Sequence, residues 1–236
     1  MPMTCRRRAQ ATLVAASLAV GCATFADHAS AAVSVDTPTS LLAPGSRVIG
    51  PDPLAATAAA ALDAWALYED LDALSSQTTS YEMATLAAFV RLRDSIAAEA
   101  ATQLGIDPLR MQAAWFAADR THQLAVLEAF TQLGVPYGHF DRTAGVGFDC
   151  SGITSWAWEQ AGFAIPRGAK WQIESAAEVT AETAQAGDLI FYPTHVMMYL
   201  GVDLAILHSP NRKSTVHLSN VWKRKIPKLQ WGNPFG

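Results

Sequence analysis

The chain is poor in cysteine, with Cys5, Cys22 and Cys150 the only three in 236 residues. No CxxC, HxxxH or similar close pair accompanies them, which argues against a zinc site. Charge is also scarce, at 16% of residues, whereas half of the chain is hydrophobic. That composition can build a packed core and excludes a disordered chain. There is no basic excess: the formal net charge is −4, which sets nucleic acid aside as a partner. Long apolar runs are missing as well. Residues 11–21, "ATLVAASLAVG", are too short to span a membrane. Beyond an alanine-rich stretch there are no repeats and no low-complexity tracts.

What the N-terminus does contain has the order of an export signal. Arg6, Arg7 and Arg8 precede the apolar residues 11–21, and Ala29-Ser30-Ala31 offers an A-x-A cleavage site. Residues 1–31 are therefore read as a signal peptide cleaved near Ala31. The protein is expected to be secreted, to the cell wall or a periplasm-like space. Two alternatives stay open: an attached N-terminal helix, or a lipoprotein at Cys22, which follows Ala19-Val20-Gly21. Cleavage would leave Cys150 as the only cysteine, so no internal disulfide could form. It would also take the balance from 17 basic and 21 acidic side chains to 14 and 20. The charge is uneven: no carboxylate side chain follows Asp203, while Arg212, Lys213, Lys223, Arg224, Lys225 and Lys228 do. Such an edge is either simply solvated or drawn to an anionic wall polymer or membrane.

Residues 32–53 are rich in Pro, Gly and Ser, hold no period and predict a linker. Residues 54–75 predict a helix with Leu67, Leu71 and Leu74 as its stripe. "SSQTTS" interrupts, and residues 81–104 resume with Phe89, Leu92, Ile96, Ala100 and Leu104, so the two helices predict an antiparallel hairpin. Gly105 stops the second helix, and Asp107-Pro108 predicts an N-cap and first position for a third. The aromatic and leucine stripes of this 54–120 helical region predict packing, and no chemistry is evident there.

Residues 121–236 have a different character. A helix over 121–133 is followed by a glycine-containing loop, then a helix from Cys150 to Ala161 with Gly162 as its C-cap. Strand patterns follow at 188–192, 195–201, 204–209 and 214–219, at spacings that imply antiparallel neighbours. A helix bearing a cysteine, packed on a small antiparallel sheet, is an α+β plan.

Asp149 is expected at the N-cap of the cysteine helix, which puts Cys150 in the first turn. Free backbone N–H groups and the helix dipole favour a thiolate there. Gly152 is expected to keep the space beside the sulfur small. A thiolate nucleophile needs a base, and an orienter for that base. His195 opens a strand that is apolar on both faces. His208 shares a face with Leu204 and Ile206 on the next strand, so a tight turn at 201–203 can bring the two rings together. His217 alternates with Val216 and Leu218 and is expected at the surface. His122 and His139 have no evident partner. A zinc site, an inert buried cysteine, and a catalytic Ser151 without its G-x-S-x-G context are the competing readings.

Six pieces occur in order: "LGVPYGH" (133–139), "GFDCSGITSWAW" (147–158), "IPRGAKWQ" (165–172), "AGDLIFY" (186–192), "HVMMYLG" (195–201) and "ILHSP" (206–210). On these, residues 121–236 resemble the NlpC/P60 family of cell-wall cysteine peptidases. The resemblance implies a papain-like α+β domain, with Cys150 as nucleophile, His195 as base and His208 as the third polar residue. Tyr137 and Ser151 become candidates for oxyanion or substrate binding. It implies peptidoglycan stem peptides as substrate, cut between D-glutamate, through its γ-carboxyl, and a diamino acid. No metal or organic cofactor is implied, and a monomer is expected. A wall-binding module with a silent site, or an amidase or acyltransferase using the same residues, are the alternatives. The sequence departs from the family at "GHFDRTAGVG", at the short "YPTHV" and at "VMMYLG", all expected to border the cleft.

Overall fold

The computed structural model of the protein describes residues 47–74 and 79–236. The signal-peptide reading, the cleavage near Ala31, Cys22 and most of the linker fall outside the described residues. Four helices come first: α1 (Pro53–Leu74), α2 (Ser80–Leu104), α3 (Pro108–Ala117) and α4 (Arg120–Phe130). A two-stranded ribbon, β1 (Arg142–Thr143) and β2 (Gly147–Phe148), leads into α5 (Cys150–Gln160) and α6 (Ala169–Ser175). The rest is β3 (Ala177–Glu178), β4 (Leu189–Tyr192), β5 (His195–Tyr199), β6 (Ala205–His208), β7 (His217–Asn220), a 3-10 turn over Lys223–Lys228, and β8 (Gln230–Asn233). No helix among the described residues is long and apolar enough to cross a membrane.

The caps follow the sequence signals. Asp107 accepts from the Leu109 N–H at 2.9 Å ahead of Pro108, and Gly105 ends α2 at φ 70°. The stripe on α1 does not. Its buried residues are Leu54, Ala55, Ala58, Ala61 and Leu62, while Leu74 is 86% exposed. α1 packs on both α2 and α4, and small alanine side chains let helix backbones approach closely where leucines would hold them apart. The end of the expected linker is also pinned rather than loose. The Arg47 guanidinium donates to both oxygens of Glu128 (2.6 and 2.8 Å), and the Gly50 N–H donates to the Thr131 carbonyl at 2.7 Å.

The sheet has six strands in the order β3-β8-β4-β5-β6-β7, and every neighbouring pair is antiparallel. β8, which carries no clear alternation in the sequence, inserts between β3 and β4. The register divides the sheet into two faces, because directly opposed residues point the same way. Leu189, Met198, Leu207 and Leu218 are opposed in turn; Met198 and Leu207, with Leu218 packed against them, belong to one continuous core with Phe89, Trp115, Phe130, Ile153 and Trp158. Ile190, Met197, Tyr199, Ile206 and Val221 form a smaller cluster on the other face. The helices of 54–120 thus share their core with the sheet, and Trp115 Nε1 donates to the Leu200 carbonyl at 3.1 Å.

His122 is fully buried, not partnerless. Its Nε2 lies 3.0 Å from Asp188 Oδ1 and 3.1 Å from Asn233 Oδ1, tying α4 to the sheet.

Candidate active site

The sulfur-bearing turn is held from several sides. Asp149 caps α5, its Oδ1 accepting from the Gly152 N–H at 2.6 Å. Arg167 grips the same carboxylate with both terminal nitrogens (2.9 and 2.8 Å), and also donates to Ser151 Oγ at 2.8 Å and to the Asp141 carbonyl at 3.0 Å. A bidentate, charge-assisted pair of this kind fixes orientation as well as supplying energy. Gln172 donates to the Ser151 carbonyl at 2.9 Å, and Ser209 Oγ donates to the Phe148 carbonyl at 2.7 Å. Gly152 is required for a reason other than the one expected: a Cβ there would lie 2.3 Å from the Asp141 carbonyl oxygen. The constraint is the β1–β2 ribbon, not the sulfur.

Cys150 is half-buried. Its sulfur is approached by the backbone N–H groups of Val196, Ser151 and Cys150 itself. α5 packs against β5, and the first turn of the helix meets that strand at the Val196 backbone. The expectation that this position favours thiolate is reversed in direction. Burial is the largest influence and pushes the thiol pKa up, the Asp149 charge adds to it, and the backbone N–H groups offset only part.

His195 and His208 are brought together, with Nε2 of the first 2.9 Å from Nδ1 of the second. Burial, and then the Lys225 ammonium, lowers His195 to about 4. Burial, His195, His217 and Lys225 lower His208 to about 3. Near neutral pH the site therefore holds a thiol and two uncharged imidazoles.

His217 is not on an outer surface away from this pair. It is directly opposite His208 in the register, and the two rings stack edge-on with centroids 4.8 Å apart. Its Nδ1 sits 2.7 Å from the Thr215 carbonyl, which can only accept, so Nδ1 carries the proton. The alternation argument was right that His217 opposes Val216 and Leu218 and that His208 shares a face with Leu204 and Ile206; it did not show that His217 lies on that same face. Both histidines lie on the face away from the helices. Among the described residues no three His, Cys, Asp or Glu side chains converge as metal ligands.

Tyr137 is anchored by its N–H to the Ser214 carbonyl (2.9 Å) and by a bridge to Phe148. Burial, and then the charges of Asp149 and Cys150, raise its phenol pKa. Ser151 differs from its expected role. It is 7% exposed, and its hydroxyl is taken up by Asp149 (3.1 Å) and Arg167. Arg167, Gln172 and Ser209 were not singled out from the sequence, and Lys225 was read only as part of a basic edge. The first three sit inside "IPRGAKWQ" and "ILHSP", but only folding brings them to the cysteine helix.

Residues 134–232 match the model of the NlpC/P60 family. These 99 residues, less than half of the chain, are similar to that family. A Corynebacterium glutamicum protein named "Probable endopeptidase" is 41% identical over 120 residues, which are 50% of this chain and 56% of that protein. The Bacillus cereus "Gamma-D-glutamyl-L-lysine dipeptidyl-peptidase" is 38% identical over 94 residues, 36% of this chain and 28% of that one. The chain thus spans little more than half the length of the first relative and less of the second. Among solved structures, the P60 domain of a Mycobacterium avium subspecies paratuberculosis antigen is 28% identical, with a TM-score of 0.42, over 50% of this chain and 96% of that chain. The NlpC/P60 match includes Cys150, His195, His208 and Tyr137, and it leaves α1 to α4 outside.

Proposed function

We propose that this protein is an exported thiol peptidase that hydrolyses amide bonds in peptidoglycan stem peptides. The observation that carries the reading is the 2.9 Å His195–His208 pair at the start of β5, where the Val196 N–H meets the Cys150 sulfur. In the tautomer a base needs, His195 Nε2–H donates to His208 Nδ1 and the Nδ1 lone pair of His195 is open. Because burial keeps both partners uncharged at rest, His195 takes the thiol proton as the sulfur attacks the carbonyl carbon. The oxyanion forms beside the Cys150 N–H and the Tyr137 hydroxyl. The His195 imidazolium then protonates the leaving amine as the C–N bond breaks, and water, deprotonated by the same ring, releases the acid from sulfur. His208 holds the base in its productive tautomer.

The relative named for a γ-D-glutamyl bond supports the γ-linkage of D-glutamate to a diamino acid as the bond cut. Digestion of purified peptidoglycan, with mass analysis of the released peptides, tests the proposal. Wild type is expected to release peptides that begin with the diamino acid, leaving D-glutamate at the end of the stub on the glycan, and folded Cys150→Ala none. Release by Cys150→Ala at the wild-type rate would end the thiol-peptidase reading. Binding without release by wild type would instead favour a wall-binding module, and transfer to an added amine an acyltransferase.

A further inference from the structure

The face of the sheet that carries the histidines also carries a groove of about 310 Å³. It is lined by the apolar side chains of Met197, Ile206 and Val221, by His208, and by Trp222 and Lys225, at the start of and within the 3-10 segment. His208 therefore belongs to both the catalytic pair and the groove. Whatever occupies the groove lies one side chain from the base.

The rim carries basic side chains beside aromatic rings. The Lys225 ammonium is 4.7 Å from the Tyr192 ring centroid and 5.7 Å from that of Trp222, so aromatic faces hold it in place. The Arg224 guanidinium also lies over the Trp222 ring, 4.4 Å from its centroid. None of Lys223, Arg224, Lys225 or Lys228 has a carboxylate partner among the described residues. Trp222 is 60% exposed, which leaves a large aromatic face bare beside the cation. An apolar floor with one fixed, unpaired cation above it suits an aliphatic chain that ends in a carboxylate.

We infer that this groove is a substrate subsite in which Lys225 binds the free α-carboxylate of a γ-linked D-glutamyl residue, making Lys225 a specificity-determining residue. The inference rests on the peptidase reading for its substrate. A γ-linked glutamate joins its neighbour through the side-chain carboxyl, so its α-carboxylate remains free a few bonds from the scissile carbonyl. Its methylene groups can lie on Met197 and Ile206. Where that carboxylate is an amide, the charge is gone and Lys225 loses its partner. Pairing would have a second consequence. Lys225 is one of the charges that hold His195 and His208 in their neutral forms, and a carboxylate beside it offsets that field when the base must accept a proton.

The test uses two synthetic stem peptides, alike except that the γ-linked residue is D-glutamate in one and its α-amide, D-isoglutamine, in the other. Turnover by the full chain and by Lys225→Gln is measured on both. The free acid should lose about 10- to 100-fold in kcat/KM in Lys225→Gln, the amide less than about threefold, and Lys225→Arg should recover much of the loss. Equal losses on the two peptides, or none, would overturn the subsite. Binding of both peptides to Cys150→Ala, with and without Lys225→Gln, is measured by calorimetry, so the subsite is judged even if wild type turns over neither peptide. Acid preferred over amide, only when Lys225 is present and with a shift of the Trp222 indole N–H resonance, supports the groove. No preference overturns it, as does Lys225-dependent binding of polyphosphate without binding of the acid peptide, which would mark an anionic wall-polymer site.

Discussion

The two faces of the six-stranded sheet differ in almost every physical respect. One is sealed under helices, and its residues, among them Met198, Ala205 and Leu207, join the main core. The other has a cluster of only five buried residues, a groove, and a row of histidines from His195 through His208 to His217. A sealed face can gain stability from dispersion and loss of apolar surface to water. An open face gains less of either, but it can admit a substrate and place titratable groups against it. The difference teaches that stability and chemistry are divided here by the pleat: alternate residues of a single strand, such as His195 and Val196, serve opposite ends.

That division can be broken from the sealed side first. Residues 121–236 alone would expose Leu127, Phe130, Ala205 and Leu200, which are buried in the core shared with α1 to α3. This fragment is expected to lose cooperative unfolding, seen as the absence of a thermal transition by circular dichroism. A native-like transition would show that the two regions fold independently. Trp115→Ala removes a 1% exposed ring that packs edge-on against Phe130 at 5.1 Å and donates to Leu200. It should cost about 3–5 kcal/mol in denaturant unfolding, while the fraction that remains folded keeps its turnover number.

From the open side the effects should fall on rate rather than stability. His208→Ala leaves nucleophile and base in place but frees the His195 ring, so turnover should drop roughly 10- to 1000-fold with little change in unfolding midpoint at neutral pH. His217→Ala, which loses only the ring stacked on His208, should cost less than about tenfold. If His217→Ala is the more crippled of the two, the assignment of His208 as the partner of the base fails.

The pH dependence sharpens the comparison further. His195 and His208 are held at about 4 and about 3, below their ordinary 6.5, chiefly by burial. Between those limits the unfolded chain binds protons that the folded chain refuses, so stability falls as pH drops from about 6.5 towards 4, on the order of a few kcal/mol in all. Above pH 7 both states are neutral and the contribution vanishes. Urea unfolding of wild type and His208→Ala across this range should show a shallower slope for the variant. The acid limb of kcat/KM should lie near pH 4, and Lys225→Gln should move it upward by removing the second-largest influence on His195.

Much of the site was legible because it is local. The Asp149 cap, the Cys150 first turn and the tight β5–β6 connection depend on residues a few positions apart, where cap chemistry and strand period apply directly. The placement of His217 was less legible, since β5 is apolar on both faces and alternation cannot say which of them the helices will cover. The thiol's raised pKa was hidden for a related reason: the helix N-terminus is a local feature and favours the anion, whereas the desolvation that outweighs it comes from packing by distant segments. The same holds for Arg167 on Asp149, which joins positions 18 apart, and for Lys225, whose influence on the histidines crosses the sheet.

The sequence by itself determined the order of elements, the caps, the cysteine at a helix start and the pairing of His195 with His208, because each rests on short-range geometry with a fixed period. Only the tertiary structure decided that Leu54, Leu62 and three alanines rather than Leu67, Leu71 and Leu74 seal α1, that β8 inserts beside β4, that Ser151 is spent on Arg167, and which face of the sheet is left open. Those outcomes depend on volumes and charges brought together from separate stretches of chain, and no periodicity along the chain encodes which surfaces will meet.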